Sequence, residues 1–170
     1  MTLELRPIDS ADVPAIVELN NSAYPAVPIA GAGEITDLLA LASLSLVAVD
    51  DGGAVKGFLI TVDPGADYDS ENYRFFSARA AESGASCLYI DRIVVAGDTR
   101  GTGIGRRFYT AVFDRAAADG RAEVTCEVNI EPPNPESLAF HERMGFARIG
   151  EQATKGGAVL VALLAAPASR

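Results

Sequence analysis

A glycine-rich run between an apolar stretch and an amphipathic stretch is the part of this sequence best suited to chemistry. Residues 89–95 read YIDRIVV, and residues 100–105 read RGTGIG, just before a helical pattern begins. At the start of a helix, backbone N–H groups without carbonyl partners and the positive end of the helix dipole attract anions. Glycines let a ligand approach the backbone closely. The run therefore predicts a loop that binds a phosphate or a pyrophosphate.

Two common phosphate-binding loops do not match this run. A Walker loop ends in Gly-Lys-Ser/Thr, whereas here Gly105 is followed by Arg106 and Arg107. The dinucleotide fingerprint is GxGxxG in a first βαβ unit, whereas the glycines at 101, 103 and 105 give GxGxG in the middle of the chain. The spacing therefore disfavours a nucleotide-binding domain.

A third type of loop does match. Arg100, Gly103 and Gly105 fit the pattern R/Q-x-x-G-x-G/A, and Val95 stands five residues before Arg100. Further on, residues 134–146 read NPESLAFHERMGF, which is similar to N-x-x-S/A-x-x-F/L-Y-x-x-x-G-F. In this order and separation, the two motifs resemble those of the GNAT superfamily of acyl-CoA-dependent transferases, over roughly residues 87–150.

The resemblance implies an α/β (α+β) fold in a single domain over residues 1–170, with a mixed twisted sheet of about seven strands and helices on both faces. It implies direct transfer of an acetyl group from acetyl-CoA to an amine, with no metal. A non-catalytic acyl-CoA-binding or sensing module of the same fold is the alternative. The residues expected to contact the cofactor are Ile93, Val94, Val95, Arg100, Gly101, Thr102, Gly103, Ile104, Gly105, Arg106, Asn134 and Ser137.

Acyl transfer to an amine needs a base, a donor for the oxyanion and a proton for the departing thiolate. Asp91 interrupts an apolar strand just before the loop, so it is the carboxylate that we select as the base. It resembles the base of spermidine/spermine-type acetyltransferases, four residues before the matching Val. A structural ion pair of Asp91 with Arg92 or Arg6 is the alternative. The resemblance also implies that a backbone N–H of residues 93–95 meets the oxyanion.

His141 stands where most members of the superfamily have the tyrosine that protonates the CoA sulfur. Asn134, Ser137 and His141 are spaced i, i+3 and i+7, so they share one face of a helix. An imidazole can donate a proton near neutral pH, and we expect His141 to be the acid. A hydrogen-bonded structural histidine is the alternative, in which case Tyr89 is the next acid to consider.

The sequence does not identify the acceptor. The segments 20–33 and 63–82 are expected to line its pocket, and the second contains three carboxylates close to four aromatic residues, an arrangement that suits a cation. These residues are Asp67, Asp69, Glu71, Tyr68, Tyr73, Phe75 and Phe76. A surface helix with core aromatics explains them equally well. A small amine, an amino acid, an antibiotic and a peptide amine all stay open, as do the acyl length and the oligomeric state, with a homodimer as one alternative.

Composition narrows the class of protein. The chain has 170 residues, of which 49% are apolar, which suits one core. The sequence has no apolar window of ~18 residues, so no membrane span is predicted. Residues 1–12 do not resemble a signal peptide. With Cys87 and Cys126 expected to be buried thiols, we expect a cytoplasmic protein. The net charge of −9 argues against nucleic acid as a partner, and a single histidine argues against a zinc site.

Apolar periodicity and turn residues predict the elements that must position these groups. Strands are expected at 3–7, 45–50, 54–62, 87–95, 122–129, 146–151 and 158–164. Helices are expected at 10–21, 34–41, 70–82, 103–119 and 136–144. Strands and helices in this order predict a mixed sheet.

Overall fold

The computed structural model describes residues 2–169. The strands are β1 Leu3–Pro7, β2 Ala42–Asp50, β3 Val55–Val62, β4 Cys87–Val95, β5 Glu123–Glu131, β6 Ala147–Thr154 and β7 Val159–Pro167. The α-helices are α1 Val13–Ser22, α2 Ala32–Leu41, α3 Glu71–Ser83, α4 Ile104–Ala118 and α5 Pro135–Arg143. Short 3₁₀ turns lie at Ser10–Asp12, Gly97–Thr99 and Lys155–Gly157.

Local side chains begin several of these helices where the sequence predicts. The Asp9 carboxylate accepts a 2.9 Å hydrogen bond from the Ala11 N–H and caps the 3₁₀ turn Ser10–Asp12, which leads into α1. Ser70 caps α3 through Tyr73 N–H at 3.3 Å. Each cap pairs a backbone N–H that has no carbonyl partner inside its own turn or helix, which is why the starts of this 3₁₀ turn and of α3 can be predicted from short sequence patterns.

The strands form one mixed sheet in the order β1-β2-β3-β4-β5-β7-β6. The pairs β1–β2, β2–β3, β5–β7 and β6–β7 are antiparallel. The pair β4–β5 is parallel, and its register extends from Cys87 opposite Glu123 to Tyr89 opposite Thr125. The seven-stranded mixed sheet predicted from the sequence is thus confirmed.

Contacts divide the described chain into two compact units, with boundaries after Val62, Tyr89 and Val112. The first unit holds β1–β3, α1, α2, the last part of β4 and the first part of α4. Phe58, Leu59 and Phe108 are fully buried there. A Cβ added to Gly57 would lie 3.0 Å from the Phe108 ring and 3.1 Å from the Val94 carbonyl oxygen. Gly57 therefore allows α4 to pack closely on the sheet.

The second unit holds α3, the first part of β4, the end of α4, β5, α5, β6 and β7. An aromatic cluster fills its core beside α3, with ring centroids of Tyr73 and Phe76 lying 5.7 and 5.4 Å from that of Tyr89. The Arg79 guanidinium pairs with the Glu123 carboxylate at 3.0 Å. These contacts attach α3 to the strands that carry Tyr89 and Glu123.

Several strands are longer than their sequence patterns predict, among them β2 and β7. β2 begins at Ala42 instead of residue 45, and β7 continues to Pro167 instead of ending at residue 164. Ser43 takes part in β2 through a 3.0 Å hydroxyl contact with Thr61 of β3. Ala165 and Ala166 pair with β5. Serine and alanine have little intrinsic preference for strands, so pairing with a neighbouring strand decides these ends.

Candidate functional site

The glycine-rich loop lies in the first unit, between β4 and α4. A 3₁₀ turn at Gly97–Thr99 leads into it, and both Gly101 and Gly103 have positive φ, at 79° and 85°. A Cβ added at either glycine would meet nothing within 4 Å. The backbone of the loop is therefore open on the side where side chains would otherwise stand, and a ligand can approach it there.

The amides at the start of α4 point out of the helix. The first backbone bond of α4 runs from Arg107 N–H to the Gly103 carbonyl at 3.1 Å, so the N–H groups of residues 103–106 have no carbonyl partner within the helix. The hydroxyl of Thr102 donates to the Thr99 carbonyl at 2.7 Å and holds the turn closed. A helix start of this kind is suited to an anion, and the binding of a phosphate at this loop stays a prediction.

The charges around the loop favour an anion. Arg100 and Arg106 are exposed. Asp98, the acidic residue that precedes the loop glycines in the sequence, is paired with the Lys56 ammonium at 2.7 Å. Arg107 has a structural role, because its guanidinium donates a hydrogen bond to the Leu3 carbonyl at 2.6 Å and connects α4 to β1. The loop thus combines open space, amides without a carbonyl partner in the helix and two exposed guanidiniums.

Asp91 lies in β4, with its side chain 6% exposed. Its Oδ2 is 3.2 Å from Nε of Arg92. Arg6, the other cation considered as a partner, instead makes a bidentate pair with Asp12, at 2.7 and 2.8 Å. Next along β4, Val94 is buried, whereas Ile93 and Val95 are half-buried. Asp91 therefore stands as a nearly enclosed carboxylate with one cationic neighbour on the same strand.

The second unit carries the other predicted residues, on α5. Asn134 caps this helix, its Oδ1 accepting from the Ser137 N–H at 3.4 Å. Nδ1 of His141 lies 2.7 Å from the Ser137 carbonyl oxygen and 3.4 Å from the Ser137 hydroxyl. The structure thus brings the three residues together on one face, as their spacing predicts.

His141 is only 4% exposed, and the Phe140 and Phe146 rings lie 5.6 and 5.3 Å from its ring. Because a carbonyl oxygen can only accept, Nδ1 carries the hydrogen in the bond to Ser137. Burial lowers the pKa of His141 below its ordinary value, and the bond to Ser137 opposes that shift only in part. Burial therefore favours the neutral imidazole.

Tyr89, the alternative acid, is also in the second unit. Its hydroxyl donates to the Glu127 carboxylate at 2.8 and 3.0 Å, and the residue is 1% exposed. Cys87 and Cys126 are both buried, and burial raises the pKa of the Cys87 thiol. A buried thiol that keeps its proton is a poor nucleophile, which agrees with direct transfer.

The segment 63–83 forms a cleft of about 640 Å³ within the second unit. Asp67, Tyr68, Asp69 and Tyr73 are among the residues that line it, so part of the predicted group of carboxylates and aromatics does lie together. Asp69 is paired with Arg74. Glu71, another carboxylate of the predicted group, makes a different contact and accepts a hydrogen bond from the Lys155 N–H at 2.9 Å.

The segment between α1 and α2 lies in the first unit, and one of its contacts was not predicted from the sequence. Nη1 of Arg92 reaches Asn20 Oδ1 at 3.0 Å and the Pro28 carbonyl oxygen at 3.4 Å. Tyr24 and Ile29 on this segment are each 61% exposed. The sequence offers one signal for this contact. Two adjacent asparagines, Asn20 and Asn21, stand at the end of a predicted helix, and an arginine directly follows Asp91.

Within residues 2–169, no group of three His, Cys, Asp or Glu side chains is placed to hold a metal ion. In the same part of the chain, every helix is too short or too polar to cross a membrane.

Comparison with known proteins gives a match to the model of the acetyltransferase (GNAT) family over residues 13–146. No curated protein sequence matches the chain. Among solved structures, the ribosomal-protein-S18-alanine N-acetyltransferase from Escherichia coli is similar, with a TM-score of 0.72 and 17% identity over 99% of this chain and 96% of that one.

Two further structures show the same likeness. A GNAT superfamily phosphinothricin acetyltransferase from Sinorhizobium meliloti, in complex with acetyl-CoA, has a TM-score of 0.71 and 24% identity, over 98% of this chain and 89% of that chain. Arabidopsis thaliana NAA60, in complex with a bisubstrate analogue, has a TM-score of 0.76 and 17% identity, over 98% of both chains. At these identities the likeness establishes a shared fold.

Proposed function

The chain belongs to the acetyltransferase (GNAT) family and is an acetyl-CoA-dependent N-acetyltransferase, and from that premise we propose which of its residues carry the transfer. The observation that carries the proposal is the open glycine loop between β4, which holds Asp91, and the start of α4. Bound acetyl-CoA supplies a thioester whose acetyl group is transferred and whose sulfur departs as a thiolate.

In this proposal the loop of residues 100–106 holds the phosphates of CoA. The N–H groups of residues 103–106 supply hydrogen-bond donors, and Arg100 and Arg106 supply positive charge. The open space beside Gly101 and Gly103 supports the assignment, because a ligand can approach the backbone there without meeting a Cβ. The amide of Asn134 and the hydroxyl of Ser137 are proposed to contact the same cofactor, and so is the backbone of residues 93–95.

Asp91 is proposed as the base. An amine with the pKa of a lysine is neutral in only ~1 molecule in 10³ at pH 7, so a proton must be removed before attack. The carboxylate of Asp91 would accept that proton, directly or through one water molecule. Its side chain is 6% exposed, and such enclosure keeps bulk water from competing with the amine. A backbone N–H of Ile93, Val94 or Val95 is proposed to donate to the oxyanion.

His141 is proposed as the acid. Its Nδ1 hydrogen is engaged by the Ser137 carbonyl, so the proton for the departing sulfur would leave from Nε2. Because burial lowers the pKa of His141, the imidazolium is a minor species at pH 7 but a strong acid when it forms. Burial and the bond to Ser137 are also what a structural histidine has, and Tyr89 is the alternative acid, so kinetic measurements must decide.

The family acts on amines of small molecules or peptides, and the choice between these classes for this chain belongs to the proposal. We further propose a single catalytic domain over residues 1–170, which is located in the cytoplasm and does not bind nucleic acid. The net charge of −9 and the two buried thiols support the last two points. A homodimer is compatible with this proposal but is not required by it.

The proposal is tested by free-thiol release from acetyl-CoA in the presence of a fixed panel of amines. The panel contains phenethylamine, spermidine, the side-chain amine of N-acetyl-lysine amide and a peptide that begins with alanine. We expect at least one amine to raise thiol release above that with acetyl-CoA alone, and the acetylated amine to appear by mass spectrometry. Thiol release that no amine increases would contradict the proposed function.

A further inference from the structure

We propose that Arg92 is a positioning residue that ties the segment 20–31 to the Asp91 carboxylate. One guanidinium would then orient both the base and the surroundings of the acceptor amine. This inference rests on the proposed function, because it takes Asp91 as the base.

Three contacts of Arg92 carry the inference. Nε lies 3.2 Å from Asp91 Oδ2, and Nη1 lies 3.0 Å from Asn20 Oδ1 and 3.4 Å from the Pro28 carbonyl oxygen. The guanidinium is planar and its donors point in fixed directions, so it can serve two partners at once. Neighbouring residues of an ideal strand point to opposite faces, so regular strand geometry does not account for the contact between Asp91 and Arg92.

The segment that Arg92 reaches is closed by side-chain amides. Nδ2 of Asn20 donates to the Pro28 carbonyl and to Asn21 Oδ1, both at 2.9 Å. Asn21 then bonds to both backbone groups of Ala30, accepting from its N–H at 3.0 Å and donating to its carbonyl at 3.1 Å. Because Asn20 belongs to this network and also accepts from Arg92, the closed segment is attached to β4 beside Asp91.

This closed segment presents apolar side chains to solvent. Tyr24 and Ile29 are the exposed large hydrophobic residues of the described chain. A base must lie within hydrogen-bond distance of the amine, or one water molecule away from it. A segment attached to the neighbour of that base is therefore well placed to contact the part of the acceptor that carries the amine.

The test measures steady-state kinetics with the amine of the panel that is acetylated fastest. Arg92→Met removes all three contacts, and we expect the KM for that amine to rise about tenfold and kcat to fall about tenfold, as for the loss of hydrogen bonds to a charged group. The KM for acetyl-CoA should stay unchanged, because the phosphate loop is not altered.

Arg92→Lys separates the effect of Arg92 on Asp91 from its attachment of the segment 20–31. An ammonium keeps a positive charge beside Asp91 but offers a single point of contact instead of a planar fork. We expect kcat to recover most of its value while the KM for the amine stays raised. Should Arg92→Met fail to fold, Asn20→Ala removes the acceptor at the other end of the contact together with the amide bonds to Asn21 and Pro28, and it should raise the same KM.

Arg6→Met is the matched control, since it breaks an ion pair in the same unit without touching Asp91. It should lower the melting temperature and leave the KM for the amine unchanged. The inference is overturned if Arg92→Met keeps the wild-type KM for the amine, or if Arg6→Met raises that KM equally. A normal KM in Arg92→Met together with a large loss of kcat in Asp91→Asn would overturn it while leaving the proposed function standing.

Discussion

The Tyr89 hydroxyl donates a 2.8 Å hydrogen bond to the Glu127 carboxylate, between two neighbouring parallel strands of the sheet. A phenol in this bond directs its proton to a carboxylate inside the second unit. Bonds of this kind to a charged group contribute about 1.5–3 kcal/mol to stability. The hydrogen bond between Tyr89 and Glu127 therefore indicates a structural role for Tyr89. His141 is then the first residue to test as the acid.

Tyr89→Phe should accordingly lower the free energy of unfolding by about 1.5–3 kcal/mol, because a charge-assisted bond in a buried site is lost. We expect its single-turnover rate to stay within about twofold of wild type. Tyr73→Phe is the control: its hydroxyl donates to the Asp63 carbonyl and accepts from the Ala66 N–H, both neutral partners, so each bond lost there should contribute less than the bond to Glu127. Denaturant unfolding and rapid-quench kinetics give both quantities. A large loss of rate in Tyr89→Phe would make Tyr89 the acid.

Gly103→Glu should abolish acetyl-CoA binding in calorimetry. The positive φ of Gly103 strains any other side chain, and a carboxylate there would repel phosphates from the amides of α4. Gly53→Glu is the control, because Gly53 has nearly the same φ, 82°, and equally open space in the β2–β3 turn. Equal affinity for acetyl-CoA in Gly103→Glu and wild type would show that the phosphates bind elsewhere.

Asp91→Asn keeps the shape of the side chain and removes its basicity. We expect kcat to fall by about 10²–10⁴-fold, the usual contribution of a general base, with little change in acetyl-CoA affinity. Asp12→Asn serves as the control, since Asp12 is also an enclosed aspartate paired with an arginine, and it should affect stability without affecting turnover. An unaltered rate in Asp91→Asn, or a melting temperature that collapses together with activity, would assign Asp91 to structure.

His141→Phe should slow a single turnover by about 10²-fold while leaving acetyl-CoA affinity intact, because the ring volume is kept and the proton donor is lost. His141→Tyr should restore part of the rate, since a phenol can also donate a proton. Single-turnover measurements are needed because slow product release would conceal the effect in kcat. Wild-type kinetics in the Phe variant would leave His141 a structural residue.

The pH dependence of stability offers a separate test of the buried state of His141. Burial lowers its folded pKa below the ordinary value of 6.5, so between these two values the unfolded chain binds a proton that the folded chain does not. The stabilising contribution is therefore complete above about pH 6.5 and is lost as pH falls through the folded pKa. We expect the melting temperature to fall less in His141→Phe than in wild type between about pH 7 and pH 5. Parallel curves for the two proteins would contradict the burial of a neutral imidazole.

The sequence by itself determined the features that depend on neighbouring residues. The start of α4 directly after Gly103, the cap at Asn134 and the shared face of Ser137 and His141 follow from turn chemistry and helical spacing. These features involve residues a few positions apart, so a short window of sequence contains all the groups that decide them.

The tertiary structure alone decided which partners the long side chains take. Arg92 bonds to Asn20, which is 72 positions away, and Arg107 bonds to the carbonyl of Leu3, which is 104 positions away. Arg6 was an alternative partner for Asp91, yet it pairs with Asp12. A guanidinium can pair with any acceptor that the folded chain brings within its reach, and the sequence contains many of them. Only the path of the backbone selects one, because the free energy of the contact depends on distance and burial and not on sequence separation.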